Sequence, residues 1–116
     1  MTKGAAKNEN VIKRRRFTRY PVDVRIMVSV FRSGERLSLW GRSNEVGQDG
    51  IGGTLTGELE SGEVVALDLE FPSAPLKIRA MVRYRDGLRH GFEFLTRTRE
   101  QAEIIQRICE QLALTQ

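Results

Sequence analysis

The chain has 116 residues, 40% of them apolar and 29% charged, the balance of one ordinary globular domain. That length excludes a large catalytic core joined to a cofactor domain, and burial of roughly two-thirds of the unfolded surface is expected. One cysteine, Cys109, excludes an intramolecular disulfide or a thiolate metal cage, and one histidine, His90, removes nearly every histidine-based metal or triad scheme. No apolar run approaches the ~20 residues of a membrane span, and the N-terminus lacks the apolar stretch of a secretory signal. The expectation is a cytoplasmic, non-catalytic protein with no membrane role and no metal.

The net charge of +4 is unevenly spread. Residues 1–20 hold seven basic side chains against Glu9 alone, whereas the remaining 96 residues carry 12 basic and 14 acidic ones. All the excess positive charge therefore lies in the leading segment, where it favours an anionic partner. Residues 1–13 are polar and without periodicity, which predicts a flexible arm ahead of one domain over 14–116.

Pro21 makes Tyr20 extended. From Val22 the chain alternates, with Val22, Val24, Ile26, Val28 and Val30 on one face and Asp23, Arg25, Met27, Ser29 and Phe31 on the other. Five β-branched residues at period two make this the clearest strand. Ser33-Gly34-Glu35 signals a turn. A second strand follows over Leu37 to Val46, in which Gly41 marks a bulge or a close approach. Gly47-Gln48-Asp49-Gly50 ends it, and Ile51 to Thr56 forms the third.

Glu60-Ser61-Gly62 turns the chain again. Val65, Leu67, Leu69 and Phe71 then alternate with polar neighbours up to Pro72-Ser73-Ala74-Pro75. Leu76, Ile78, Ala80, Val82 and Tyr84 mark a fifth strand, with Lys77, Arg79, Arg83 and Arg85 on its polar face. Asp86-Gly87 predicts a two-residue type I′ hairpin leading into Leu88 to Leu95, with Phe92 and Phe94 inward. After Leu95 the period changes. Ile104, Ile105, Ile108 and Leu112 form a helical stripe, and Thr98 with Gln101 reads as a capping box. Six short strands and one terminal helix predict a six-stranded antiparallel β-barrel with a C-terminal α-helix.

Two segments carry candidate chemistry. The run Lys13-Arg14-Arg15-Arg16-Phe17-Thr18-Arg19-Tyr20 places Arg15 and Arg19 four apart, so that a bend lets both converge on one ligand. Arginine suits this, because its planar fork makes bidentate contacts to phosphate and guanine edges and also stacks on bases. The second segment, Asn44 to Gly53, has four glycines in seven positions, which permits positive φ and close approach to a ligand. It fits neither a dinucleotide-binding G-x-G-x-x-G nor a Walker loop.

An R-x-x-x-R segment before the first strand and a Gly-rich turn between the second and third resemble the PilZ domain family. The later stretch PLKIRAMVRYRDGLRHGFEFL resembles that family's closing strands. The resemblance implies a barrel that binds cyclic di-GMP, a bacterial second messenger, with Arg15 and Arg19 gripping phosphates and guanines. It also implies that Arg14, just before the pair, favours a stacked pair of ligands. The family's second motif, Asp/Asn-x-Ser-x-x-Gly, is altered here: with Gly50 as its terminal glycine, Glu45 stands at the acidic position and Gly47 at the serine. The lost hydroxyl costs about 0.5–1.5 kcal/mol of binding.

The expected ligand-binding set is thus Arg14, Arg15, Arg19, Glu45, Gly47 and Gly50. Signalling is expected through conformational change and an unidentified downstream protein. The alternative is a degenerate domain acting as a protein adaptor without nucleotide. Binding of single-stranded nucleic acid ranks third, because Phe71, Tyr84, Phe92 and Phe94 are expected in the core; no DNA or RNA partner is expected. His90 is read as a structural or surface residue, Cys109 as a small buried apolar group, Glu58 and Glu60 as solvated, and Trp40 as a partly buried barrel aromatic.

Overall fold

The computed structural model describes residues 17–95 and 97–115. The strands are β1 (Tyr20–Arg32), β2 (Glu35–Val46), β3 (Gly50–Leu55), β4 (Val64–Glu70), β5 (Pro75–Asp86) and β6 (Arg89–Phe94), followed by helix α1 (Arg99–Leu114). All neighbours are antiparallel, and they close into a barrel in the order β1-β2-β3-β6-β5-β4. The expected six-stranded antiparallel barrel with a C-terminal helix is therefore what the chain forms.

β1 closes the barrel because it is long enough to pair on both edges. Ile26 lies between Gly41 of β2 and Leu69 of β4, and Val28 between Leu39 and Leu67. Its inward row Val24, Ile26, Val28 and Val30 is buried against Leu67, Leu69, Ile78 and Phe92, each such side chain contributing about 1.5–3 kcal/mol. Gly41 is a close approach. A Cβ there would lie 2.0 Å from the Thr54 carbonyl oxygen of β3, while the bulge of β2 falls between Ser43 and Glu45.

α1 starts on the expected capping box. Thr98 accepts from the Gln101 amide at 3.0 Å, and the Gln101 side chain accepts from the Thr98 amide at 2.8 Å. Ile105, Ile108 and Cys109 are buried, and the helix packs on β1 and β5. Among the described residues no helix is long and apolar enough to cross a membrane.

Three local expectations are corrected. Tyr84 is 44% exposed, because a bulge between Val82 and Tyr84 reverses the phase of β5 and swings the ring outside the barrel. Trp40 is 43% exposed, with the Arg25 guanidinium 4.6 Å over its ring in place of core contacts. The β5–β6 turn is Gly87-Leu88, between the paired Asp86 and Arg89, and only Gly87 has positive φ, the sign pattern of type II′. The I′ pattern occurs at Ser33-Gly34 instead, where both φ values are positive (53° and 80°).

His90 is fully buried and structural. Its Nε2 accepts from the Leu59 amide at 3.0 Å and its Nδ1 lies 2.8 Å from the Leu88 carbonyl, so Nδ1 carries the proton and the ring is neutral. Burial holds its pKa below the ordinary 6.5, with Arg85 adding to the effect and the Leu88 bond and Glu58 opposing it. The unfolded chain thus takes up this proton first. Stability is fully present above about pH 6.5 and falls as pH drops below it. Asp23 and Glu63 are held below their ordinary 3.8 and 4.5 by Arg42 and Arg32, so their contributions are lost only at lower pH. A His90→Leu variant leaves the Leu59 amide unpaired, at a cost of about 1–3 kcal/mol. Its melting temperature should be lower at pH 7.5 and flatter between pH 7.5 and 5.5; a slope equal to the parent's would exclude His90 as the titrating group.

Candidate functional site

The site is set by the register of β1 on β2. Tyr20 pairs with Val46 and Pro21 with Glu45, so the residue before β1 lies beside the turn that follows β2. Arg19 is that residue. Its Nη1 lies 3.3 Å from Glu45 Oε2 and its Nη2 lies 3.5 Å from Asp49 Oδ1. Only 16% of the Arg19 side chain is exposed, against 22% of Glu45 and 34% of Asp49.

Both contacts are longer than the 2.7–2.9 Å of a direct charge-assisted hydrogen bond. Arg19 Nε and Asp49 Oδ1 are also buried without a hydrogen-bond partner, the second ion pair lacking hydrogen-bond geometry. The guanidinium is thus held between two carboxylates and incompletely satisfied by them.

The glycines of the turn act through their missing side chains. Neither Gly47 nor Gly50 has positive φ, contrary to the freedom expected of this segment. A Cβ on Gly47 would lie 2.7 Å from Arg19 Cδ and 2.9 Å from the Thr18 carbonyl oxygen. One on Gly50 would lie 2.2 Å from the Phe92 carbonyl oxygen and 3.2 Å from Arg19 Nη2. Gly47 therefore makes room for Arg19 to cross the turn, and Gly50 brings β3 against β6.

The turn is fixed from behind. The Gly47 amide donates to Gly50 at 2.9 Å, and the Phe94 amide donates to the Asp49 carbonyl at 2.9 Å. Arg97 donates to the Gln48 carbonyl, tying the turn to the segment that leads into α1. Burial pushes the Cys109 thiol up, with the Asp49 charge adding to it, so this cysteine is a packed and unreactive group.

Beside Arg19 opens a depression of about 250 Å³, lined by Asp49, Arg83, Tyr84, Phe92 and Glu93. The Tyr84 ring lies over Gly91, where a Cβ would come within 2.0 Å of it. Arg19, Glu45, Gly47 and Gly50 are thus brought together as the sequence predicts, whereas Arg14 and Arg15 lie outside the described residues. Sequence reasoning missed Asp49 and Tyr84. Asp49 sits at an unspecified position of the motif, and the signal for Tyr84 was the glycine opposite it.

The sequence profile of the PilZ domain matches residues 13–111. Among curated proteins none matches at a significant level. The fold is similar to the PilZ domain of YcgR from Escherichia coli, solved with c-di-GMP: TM-score 0.75, 17% identity, 89% of this chain and 94% of that one. It is also similar to the inhibitor of motility MotI/DgrA from Bacillus subtilis (TM-score 0.71, 17% identity), covering 90% of this chain but only 53% of that one, about half its length. The PilZ domain of CeSA from a cellulose-synthesizing bacterium matches at TM-score 0.66 and 15% identity, over 83% of this chain and 98% of that one. A profile match across the whole barrel and most of α1 shows that the chain belongs to the PilZ domain family.

Proposed function

We propose that the protein is a non-catalytic receptor for cyclic di-GMP, with Arg14, Arg15 and Arg19 as the cationic side of the site and residues 45–50 as its facing turn. The observation that carries this reading is Arg19, nearly buried between two carboxylates with an unpartnered Nε. Similarity to a YcgR domain solved with that nucleotide supports it. In this reading residues 14–116 form the domain and residues 1–13 its leading arm.

Arginines here contact phosphates and guanine edges through planar forks. Gly47 contributes space and backbone, because it has no hydroxyl. Glu45 accepts from a guanine N–H edge, and Tyr84 offers a ring at the rim of the depression. Asp49 opposes binding: the ligand's phosphates must replace its carboxylate at Arg19. Signalling follows when the arginine segment and the turn are drawn onto one ligand, changing the surface that a downstream protein meets.

The adaptor reading rests on the same clamp, since Glu45 and Asp49 already neutralise Arg19 without any nucleotide. Calorimetric titration with cyclic di-GMP separates the two. A receptor binds with micromolar or tighter affinity and loses binding in Arg15→Ala/Arg19→Ala. At a hundredfold excess over its Kd the ligand should stabilise the fold by about 2.7 kcal/mol. No heat and no thermal shift would favour the adaptor.

Asp49→Asn removes the competing charge while keeping the shape of the turn. It should tighten binding up to roughly fivefold, since a part-buried ion pair at 3.5 Å without hydrogen-bond geometry contributes about 1 kcal/mol. Weaker binding in Asp49→Asn would mean that Asp49 contacts the ligand favourably.

A further inference from the structure

We infer that the outer face of β1, β2, β4 and β5 is a docking trough for an acidic segment of a partner protein. Its floor is a row of small residues on three strands, closed by an arginine on the fourth: Ser38 pairs with Ser29, Ser29 with Ala66, and Ala66 with Arg79. Larger side chains rise on both sides. One wall is the row Arg36, Phe31, Val64 and Met81, and the other is Trp40, Met27, Asp68 and Lys77. Two adjoining depressions of about 310 and 370 Å³ share Ser29, Arg36, Ala66 and Arg79. The trough crosses the strands and is about 13 Å wide between its walls, the span of four residues along β1 from Met27 to Phe31.

The charge of this face identifies the occupant. Arg32, Arg42, Arg83 and Arg85 are each matched by a carboxylate, from Glu63, Asp23, Glu93 and Glu58. Arg25, Arg36 and Arg79 have none among the described residues. Arg36 instead donates to Ser29 Oγ at 3.3 Å across the trough floor. Two unmatched guanidinium forks on opposite sides of a small-residue floor suit carboxylates of an intervening chain. Phe31 and Val64, at 72% and 41% exposure, supply apolar contact along one wall.

Two other occupants fit less well. A nucleic-acid strand needs open aromatic faces. Here Arg25 already covers Trp40, Phe31 is the one open ring lining the two depressions, and Val64 cannot stack. A second copy would bring one basic face against another.

The trough also touches the elements that hold the nucleotide turn. Gln101 of α1 lines it and donates to the Lys77 carbonyl at 2.7 Å, and the Leu95 amide donates to the Arg79 carbonyl at 3.0 Å. Docking itself does not depend on the nucleotide reading, so failure of either leaves the other standing.

The test uses the isotopically labelled full chain and, as probe, a short capped peptide of alternating leucine and glutamate. Amide shifts should centre on Ser29, Phe31, Arg36, Ala66 and Arg79. Affinity should fall about tenfold in Arg36→Glu/Arg79→Glu, because reversed charges leave the probe's carboxylates unpaired. Thermal melting of that variant, matching the parent's, confirms that it is folded; if it is not, Arg36→Gln/Arg79→Gln is read in its place. A leucine–lysine peptide should not bind. Three results would overturn the proposal: no localised shifts, binding that survives the charge-altered variants, or oligothymidylate displacing the peptide from the same residues with steep salt dependence.

Discussion

Barrel closure through β1 is the constraint on which the rest of the structure depends. At 13 residues this strand is about 43 Å long, enough to pair with both β2 and β4. Its alternation fixes which residues face inward, since a slip of one residue would expose Val24, Ile26, Val28 and Val30 together. The same register places Arg19 against Glu45 and Asp49 at one end of β1. At the other end it sets Ser29 and Phe31 among the residues of the trough. Both candidate surfaces are therefore consequences of one strand's pairing.

The clamp on Arg19 works in two directions. Holding the guanidinium beside the turn lowers the entropy lost when a ligand binds it. The carboxylates also compete with a ligand's phosphates, and each of these long, part-buried pairs is worth about 1 kcal/mol. The two effects are of similar size, so neither the presence of the carboxylates nor the missing hydroxyl at Gly47 dictates the outcome alone. What distinguishes this turn is that Gly47 lacks a Cβ, which lets Arg19 cross it at all. A serine there would meet the Thr18 carbonyl and the Arg19 side chain, so the altered motif and the folded-back arginine belong to one arrangement.

The alternation of apolar residues made the six strands and the helix legible, because burying one face is what selects each of them. Val65, Leu67 and Leu69 read from sequence as they lie in the barrel, and Thr98 with Gln101 read as the cap they form. Tyr84 did not, since one extra residue in β5 reverses the phase without changing composition. The turn at Gly87 misread for a related reason: Asp86 is already paired with Arg89, which shifts the loop by one residue. Trp40 was misplaced because its partner Arg25 is defined only by the register of β1 on β2. Asp49 escaped notice because an ion pair between residues 19 and 49 exists only once that register is set.

The turn and the trough are joined by hydrogen bonds, two from backbone amides and two from side chains, between the end of β6 and the start of α1. Asp49 and Gln48 offer their carbonyls to Phe94 and Arg97, while Leu95 and Gln101 donate to Arg79 and Lys77 on the trough wall. Asp49, whose side chain faces Arg19, thus belongs to a turn whose bonded neighbours also hold β5 in place. The path between the two surfaces is short, because Phe94, Leu95, Arg97 and Gln101 bond to one or the other directly. Packed elements resist small continuous deformation. A shift of the turn is therefore opposed by the capping box of Thr98 and Gln101 or passed through it to Lys77 and Arg79, and the same few bonds govern either outcome.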